Sequence, residues 1–189
     1  MPENDGPHKP TQSPKSALAF LECLPVAARY AFYTAFFLSV LLIALPWAAY
    51  RIDLYLPRLH IEAGLVVRSL GVLVFIAFLI AYLASSRLLT SRGHGGHVEF
   101  DPPRDFVATG IYRWVRNPIA GSAVMMLLGE ALAFSSTGIL ILFLAAMVFA
   151  HLQVILLEEP LLRKRFGASY TDYLARVPRW IPRRPRGSD

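Results

Sequence analysis

Four long runs of apolar residues constrain this chain more than any other feature of its sequence. A helix needs about 20 apolar residues to cross the hydrocarbon core of a bilayer, because every backbone polar group must find its partner inside the segment. The chain contains four stretches of about that length, at 30–50, 69–86, 118–137 and 138–157. The first two are uncharged, and the third carries one acid, Glu130. The sequence therefore predicts an all-α fold, a polytopic membrane helical bundle of about four transmembrane helices.

The distribution of positive charge predicts how this bundle is oriented. Five arginines stand between the second and third stretches and eight lysines and arginines follow the fourth, whereas none separates the third from the fourth. Loops rich in Lys and Arg stay in the cytoplasm, so we expect both termini and the second loop on that side. The net charge of +6 comes without a basic platform interleaved with aromatic residues, which argues against a nucleic-acid partner. We expect the charge to face anionic lipid headgroups instead.

The two ends of the chain differ in character. Residues 1–16 are polar and lack the basic, apolar and small-residue regions of a secretory signal, so we expect a disordered tail and a single membrane domain at 17–189. After the fourth stretch, apolar residues recur at helical spacing and most basic residues fall elsewhere. This pattern predicts a C-terminal amphipathic helix on the inner membrane surface, ended by Pro178. Its apolar positions are Leu161, Leu162, Phe166, Tyr170, Tyr173, Leu174 and Val177.

Polar residues on the predicted cytoplasmic side collect in two segments, the loop at 87–117 and the start of the C-terminal helix. The third connection, "SSTG", is so short that the third and fourth spans must form a tight antiparallel hairpin. The hairpin brings the two polar segments together, where they could enclose a polar ligand at the membrane surface. Composition alone does not name that ligand.

Several short motifs, taken in order, make this chain similar to a known family. "GxYRxxRNP", "EEPLL", "FGxxYxxY" and "VPRWIPR" resemble the integral-membrane methyltransferases, which include isoprenylcysteine carboxyl methyltransferase and phosphatidylethanolamine N-methyltransferase. The resemblance covers about residues 90–183, the expected cofactor-binding half. The matching positions are Gly93, His94, Gly95, Asp101, Pro102, Pro103, Gly110, Tyr112, Arg113, Arg116, Asn117, Pro118, Glu158, Glu159, Pro160, Phe166, Gly167, Tyr170, Tyr173, Pro178, Arg179, Trp180 and Pro182.

The resemblance implies a membrane methyltransferase that uses S-adenosylmethionine (SAM) and no metal. The acceptor it implies is a lipid-like or small molecule, a carboxylate or an amine, which is methylated at the cytoplasmic face of a bacterial inner membrane. It implies catalytic roles for Arg116 and Asn117. The cofactor-binding residues it implies are Gly93, His94, Gly95, Tyr112, Arg116, Glu158 and Glu159.

Ala120 departs from the family pattern, because many relatives have a tyrosine at this position. Any contact made by that hydroxyl is missing here. The departure supports an alternative hypothesis, a non-catalytic membrane scaffold or lipid-binding protein with the same fold, whereas the intact Arg-Asn-Pro and Glu-Glu-Pro elements support the enzyme. A transporter is disfavoured, because the first two spans carry almost no polarity to bury.

The motif residues have structural interpretations beside the functional ones. Asn117 before Pro118 suits a helix start, and the free amides of a helix start also suit a carboxylate ligand. Glu158 and Glu159 before Pro160 suit the start of the next helix, but they also end the fourth span, where negative charge opposes the helix dipole. We favour the functional interpretation for both pairs.

The remaining candidates are less specific. His94 and His97 lack a further cluster of ligands, and the single cysteine, Cys23, excludes a disulfide framework and a Cys-rich metal site, so no metal is expected. His151 and Gln153 lie in the fourth span, where they could bond a neighbouring helix or line a pocket. Anchoring of the amphipathic helix and lining a pocket both remain open for Tyr170 and Tyr173. For Arg179 and Trp180 the open alternatives are anchoring at the headgroups and closure of the active site.

Overall fold

The computed structural model describes residues 24–55, 64–94, 97 and 103–184, and the regular structure within them is entirely helical. The predicted tail, residues 1–16, lies outside the described residues. The elements are α1 (Val26–Ser39), a π-helical turn (Val40–Ala44), α2 (Leu45–Asp53), α3 (Leu65–Gly93), a 3-10 turn (Gly110–Arg113), α4 (Pro118–Phe134), α5 (Thr137–Gln153), a second π-helical turn (Val154–Glu158) and α6 (Glu159–Arg176).

Within the described residues, three helical segments are long and apolar enough to cross a membrane: α1 with α2, α3, and α5 with α6. The fourth apolar helix, α4, has 17 residues, which is below the usual length of about 20. The prediction of an all-helical membrane bundle is confirmed. About four spans were predicted, and the bundle has three of full length together with the shorter α4.

Two prolines explain why two of the long helices contain a π-helical turn. Pro46 and Pro160 have no N–H to donate to the carbonyl four residues earlier, and their rings press against it. In both helices the wider turn ends two residues before the proline, so it absorbs the lost hydrogen bond and the helix continues. The predicted amphipathic helix is therefore α6, which continues directly from α5 and ends at Arg176, shortly before Pro178. It is kinked at Gly167, whose φ of 56° and ψ of −129° are not helical.

Helices α3 and α4 pack backbone to backbone at two glycines. A Cβ atom added at Gly71 would lie 2.5 Å from the backbone nitrogen of Ala133, and one added at Gly129 would lie 2.7 Å from that of Phe75. Small residues allow this close approach, on which helix association in lipid depends. The contact fixes the height of α4 against α3, and with it the position of the first turn of α4.

The α4–α5 hairpin closes at the far end of the bundle through a capped turn. Ser135 is left-handed, with φ of 52°, and Ser136 caps α5 by accepting a hydrogen bond from the Ile139 amide at 3.0 Å. Asp53, the last residue of α2, accepts hydrogen bonds from the Gly138 amide at 2.7 Å and from the Ser136 hydroxyl. The hairpin brings the start of α4 and the end of α5 to the same end of the bundle.

Buried polar side chains on α1 and α3 show that the expectation of almost no buried polarity in the first two spans was wrong. Ser85 donates to the Ala81 carbonyl at 2.6 Å, and Ser86 donates to the Tyr82 carbonyl at 2.8 Å. Because a serine can satisfy its hydroxyl within its own helix, an apolar stretch can bury one at little cost. The buried polar residues of these helices are Arg29, Thr34, Ser85, Ser86 and Thr90.

Candidate active site

A cavity of about 330 Å³ opens where α4 begins and α5 ends. This volume is within the range of small-molecule sites, about 300–1,000 Å³. The loop before the 3-10 turn, the first turn of α4, the end of α5 and one face of α6 form its walls. Four of the predicted site residues line it: Tyr112, Arg116, Asn117 and Glu158.

Arg116 lies on the cavity wall directly before α4, and 11% of its side chain is exposed. Its Nη1 donates to Glu159 Oε1 at 3.1 Å. Its Nε is buried and has no hydrogen-bond partner within the described part of the chain. A buried donor without a partner is costly, so a ligand acceptor at this position would be favourable.

Asn117 stands at the start of α4 without capping it through its side chain. Its Nδ2 instead donates to the Arg179 carbonyl at 3.4 Å. The α4 helix begins with Pro118, and the cavity also touches Ile119 and Ala120 in this first turn. The free amides of a first turn are ready donors for an anion.

Residues 177–184, which follow α6 and which we call the C-terminal strap, hold this segment in place through backbone hydrogen bonds. The Arg116 amide donates to the Pro178 carbonyl at 2.9 Å, and the Arg183 amide donates to the Trp114 carbonyl at 3.0 Å. The first bond joins the strap to the Arg-Asn-Pro segment, residues 116–118, and the second joins it to Trp114, two residues before that segment. The geometry of this segment therefore depends on the strap.

Glu159 binds arginines and does not line the cavity. Its side chain is 5% exposed and accepts two hydrogen bonds from Arg179, Nε to Oε1 at 2.7 Å and Nη2 to Oε2 at 3.1 Å. The hydrogen bond to Glu159 raises the pKa of Arg179. Arg163 lies 3.9 Å from Glu159 Oε2 but is 56% exposed, so it adds little. Glu159 thus connects α6, the strap and Arg116.

Glu158, one residue earlier, faces the cavity. Its Oε1 accepts a hydrogen bond from Gln153 Nε2 at 3.5 Å, and Gln153 also lines the cavity. The two neighbouring glutamates were predicted as a pair of cofactor ligands. The structure gives them different surroundings. The Glu158 carboxylate lies on the cavity wall, and the Glu159 carboxylate binds Arg116 and Arg179.

Tyr112 connects the cavity wall to two helices. Its hydroxyl donates to the Ser85 carbonyl of α3 at 3.3 Å, and its own carbonyl accepts from the Tyr173 hydroxyl of α6 at 2.7 Å. Burial, followed by the neighbouring Tyr173 and Glu158, raises the pKa of Tyr112. The hydroxyl therefore stays protonated at neutral pH and remains a donor.

Of the described residues in the predicted glycine-containing loop, Pro103 lines the cavity, whereas Gly93 and His94 do not. The Gly93 carbonyl accepts hydrogen bonds from the Arg104 amide at 2.6 Å and the Asp105 amide at 3.0 Å, and His94 Nδ1 lies 2.7 Å from Asp105 Oδ2. Gly95 lies outside the described residues. Among the residues that the structure describes, no three His, Cys, Asp or Glu side chains come together as a metal site.

Aromatic side chains form the wall opposite the start of α4. Phe106 packs against Phe166, Tyr170 and Tyr173 with ring centroids 5.2–5.9 Å apart. All four rings line the cavity, and Tyr170 and Tyr173 are buried. Their contribution is a pocket wall, one of the two alternatives that the sequence left open.

Two residues of the fourth span have different roles. Gln153 lines the cavity, whereas His151 accepts a hydrogen bond from the strap, Trp180 Nε1 to His151 Nδ1 at 3.1 Å. The Trp180 ring also lies 3.9 Å from where a Cβ of Gly121 would stand. Trp180 therefore packs over both helices of the hairpin.

A comparison with protein-family models matches residues 66–169 to the phospholipid methyltransferase family. The match covers more than half of the chain, from the first turn of α3 into α6. The chain belongs to the phospholipid methyltransferase family. A comparison with curated proteins gives no match.

The phospholipid methyltransferase match includes Arg116, Asn117, Glu158 and Glu159 and therefore both sides of the cavity. It identifies the chain as a membrane methyltransferase. The strap and the first helices lie outside the matched residues. The matched residues thus include most of the cavity lining, without Tyr170 and Tyr173, and none of the strap.

Sequence reasoning did not identify one of the residues that line the cavity. His97 was considered only as a metal ligand, but it lines the cavity and packs against Tyr30 and Tyr33 with ring centroids 5.6 and 6.2 Å apart. Its neighbours come from α1, about sixty residues earlier. Such a contact has no local sequence signal.

Proposed function

We propose that this protein transfers a methyl group from SAM to an acceptor held in the membrane. The proposal rests on the observation that Arg116 and Glu158 line the same cavity, at the end of the membrane helices. Methyltransferases of this family generally use SAM, which carries a carboxylate, an ammonium group and a sulfonium. A buried guanidinium with an unused donor and a carboxylate on the same cavity are complementary to those charges.

The residues have separate roles in this proposal. Arg116 and the first-turn amides of α4 bind the carboxylate of SAM, and Glu158 binds a positively charged or hydroxyl group of it. Asn117 keeps the first turn beside the reacting groups through its bond to the strap. Glu159 is a positioning residue, because it touches Arg116 and not the cavity.

When bound, SAM supplies the methyl group on its sulfonium, and the protein supplies alignment. Holding the acceptor in line with that methyl group contributes up to about 7–11 kcal/mol toward lowering the barrier. The aromatic wall, in which Tyr170 and Tyr173 are buried and Phe106 packs against them, excludes water from the cavity. Neither role requires a protein nucleophile.

The acceptor is proposed to reach the cavity from the bilayer. Ile119 and Ala120 on α4 and Leu161 and Leu162 on α6 make the cavity apolar beside the apolar helices, and Leu161 is exposed at its edge. A lipid-like or small acceptor, either a carboxylate or an amine, fits such a wall. We place this end of the bundle and both termini on the cytoplasmic side of a bacterial inner membrane.

Measuring SAM affinity by calorimetry on the purified protein tests the proposal. Glu158→Gln and Arg116→Ala each remove a charged hydrogen bond, so SAM affinity should fall by about 1.5–3 kcal/mol, roughly tenfold to more than a hundredfold. Asp172→Asn removes an exposed carboxylate of α6 and should leave SAM affinity unchanged. Wild-type affinity in both site variants would contradict the proposed roles, and no SAM binding by the native protein would favour the non-catalytic scaffold.

A further inference from the structure

The C-terminal strap lies against a part of the bundle that lipid surrounds. Trp180 of the strap donates a hydrogen bond to His151. His151 lies six residues before Leu157, where the fourth apolar stretch ends. Six helical residues rise about 9 Å, so Trp180 contacts the helix about 9 Å inside the end of that stretch. Leu152, Leu156 and Leu157 in this segment are exposed. Exposed leucines on an apolar span belong in the hydrocarbon layer, so the strap lies at the membrane surface and not beyond it.

Two large apolar side chains near the strap are open to the surroundings. Ile181 is 80% exposed and Trp114 is 44% exposed. The backbone bond from Arg183 to Trp114 places the two segments side by side. Tryptophan is enriched at membrane interfaces, where its ring lies at the level of the headgroups.

Three arginines lie within three residues of these apolar side chains in the sequence. Arg113, Arg183 and Arg184 are exposed, and none of them has a carboxylate partner within the described residues. Apolar side chains flanked by unpaired cations are typical of segments that bind the interface of anionic membranes.

We propose that the surface formed by Trp114, Ile181, Arg113, Arg183 and Arg184 docks on anionic lipid headgroups. Ile181 and Trp114 enter the upper acyl layer, and the arginines contact lipid phosphates. The surface is continuous with the membrane helices through Trp180 and His151. This continuity favours a lipid over a soluble anion as the partner.

The test uses tryptophan quenching by brominated lipids in nanodiscs that contain equal amounts of an anionic and a zwitterionic lipid. The chain has three tryptophans, and Trp47→Phe leaves only Trp114 and Trp180, both at the strap. Comparing discs in which one or the other lipid is brominated gives the relative affinity of the strap for the two lipids. We expect a preference for the anionic lipid of more than tenfold, because each of the three arginines contributes about fivefold.

Arg183→Gln should reduce this preference by about fivefold, since a basic residue near an anionic surface is worth about 1 kcal/mol. The matched control is Arg51→Gln, which removes an exposed arginine from α2, beside Trp47. That variant should leave the preference unchanged. Equal quenching of the native protein by both lipids, or a native-like preference in the Arg183→Gln/Arg184→Gln variant, would overturn the proposal.

Two further measurements on the native protein test the proposal even if the Arg183→Gln/Arg184→Gln variant does not fold. Raising the salt concentration should weaken the preference of the native protein by screening, and a salt-independent preference would overturn the proposal. Inorganic phosphate at constant ionic strength should not compete, whereas competition would indicate a free-phosphate site and also overturn it. The readout needs no SAM, so it does not depend on the proposed methyl transfer.

Discussion

Replacing Glu159 by glutamine should detach the C-terminal strap without removing any residue from the cavity wall. The carboxylate is buried and accepts hydrogen bonds from Arg179 at 2.7 and 3.1 Å and from Arg116 at 3.1 Å. A glutamine keeps one carbonyl acceptor and turns an NH₂ group toward a guanidinium, so one or two of these bonds are lost. Hydrogen bonds to charged groups contribute about 1.5–3 kcal/mol each.

The expected weakening of strap docking is about 3 kcal/mol. Arg179 is 28% exposed and water screens part of its interaction, which places the estimate below the sum of two full bonds. At about 1.4 kcal/mol per factor of ten, the fraction of molecules with a detached strap should rise by about a hundredfold.

Limited trypsin digestion followed by intact-mass measurement detects this detachment. The bond after Arg179 can be cut only when the Arg179 side chain leaves Glu159, and cleavage follows the open population when opening and closing are fast. Cleavage after Arg179 should be at least tenfold faster in Glu159→Gln than in the native protein, with Glu158→Gln as the matched control near the native rate. Equal rates in all three proteins would refute the role assigned to Glu159.

Three other expectations can be checked directly. Reporters fused after Asp189 and within residues 135–138 should lie on opposite sides of the membrane, and the same side for both would refute the predicted topology. Residues 93–106 should resist protease better with SAM bound, because loops that cover ligands belong to the less stable parts of a fold; equal cleavage would argue against such a loop. Gly71→Ala should lower thermal stability by about 1–3 kcal/mol through overpacking, whereas Gly64→Ala, with nothing within 4 Å of its added Cβ, should change it little. A native-like Gly71→Ala would contradict the close α3–α4 contact.

The bundle follows from the sequence because length and hydrophobicity alone determine which segments enter lipid. The predicted hairpin also brings Arg116 to the end of α5, and its guanidinium lies 3.1 Å from Glu159. The different surroundings of Glu158 and Glu159 could not be read from the sequence. Adjacent residues of a helix point about 100° apart, and the π-helical turn Val154–Glu158 changes the phase of α6 relative to α5.

The contacts of the strap could not be predicted from the sequence for a different reason. Pro178 and Arg179 hold Arg116 and Asn117 through their backbone carbonyls, which every residue type possesses. A side-chain pattern therefore identifies "VPRWIPR" as a motif without revealing what its backbone binds. The contact of His97 with Tyr30 and Tyr33 depends in the same way on the tertiary path of the chain.

The length of α4 has a consequence for the membrane itself. Its 17 residues span about 26 Å, a few ångströms less than a typical hydrocarbon core of about 30 Å. Because Gly71 and Gly129 fix α4 against α3, this helix cannot slide toward either surface to relieve the mismatch. We therefore expect the bilayer to thin around α4 and lipids with shorter acyl chains to gather beside the cavity that opens at its first turn.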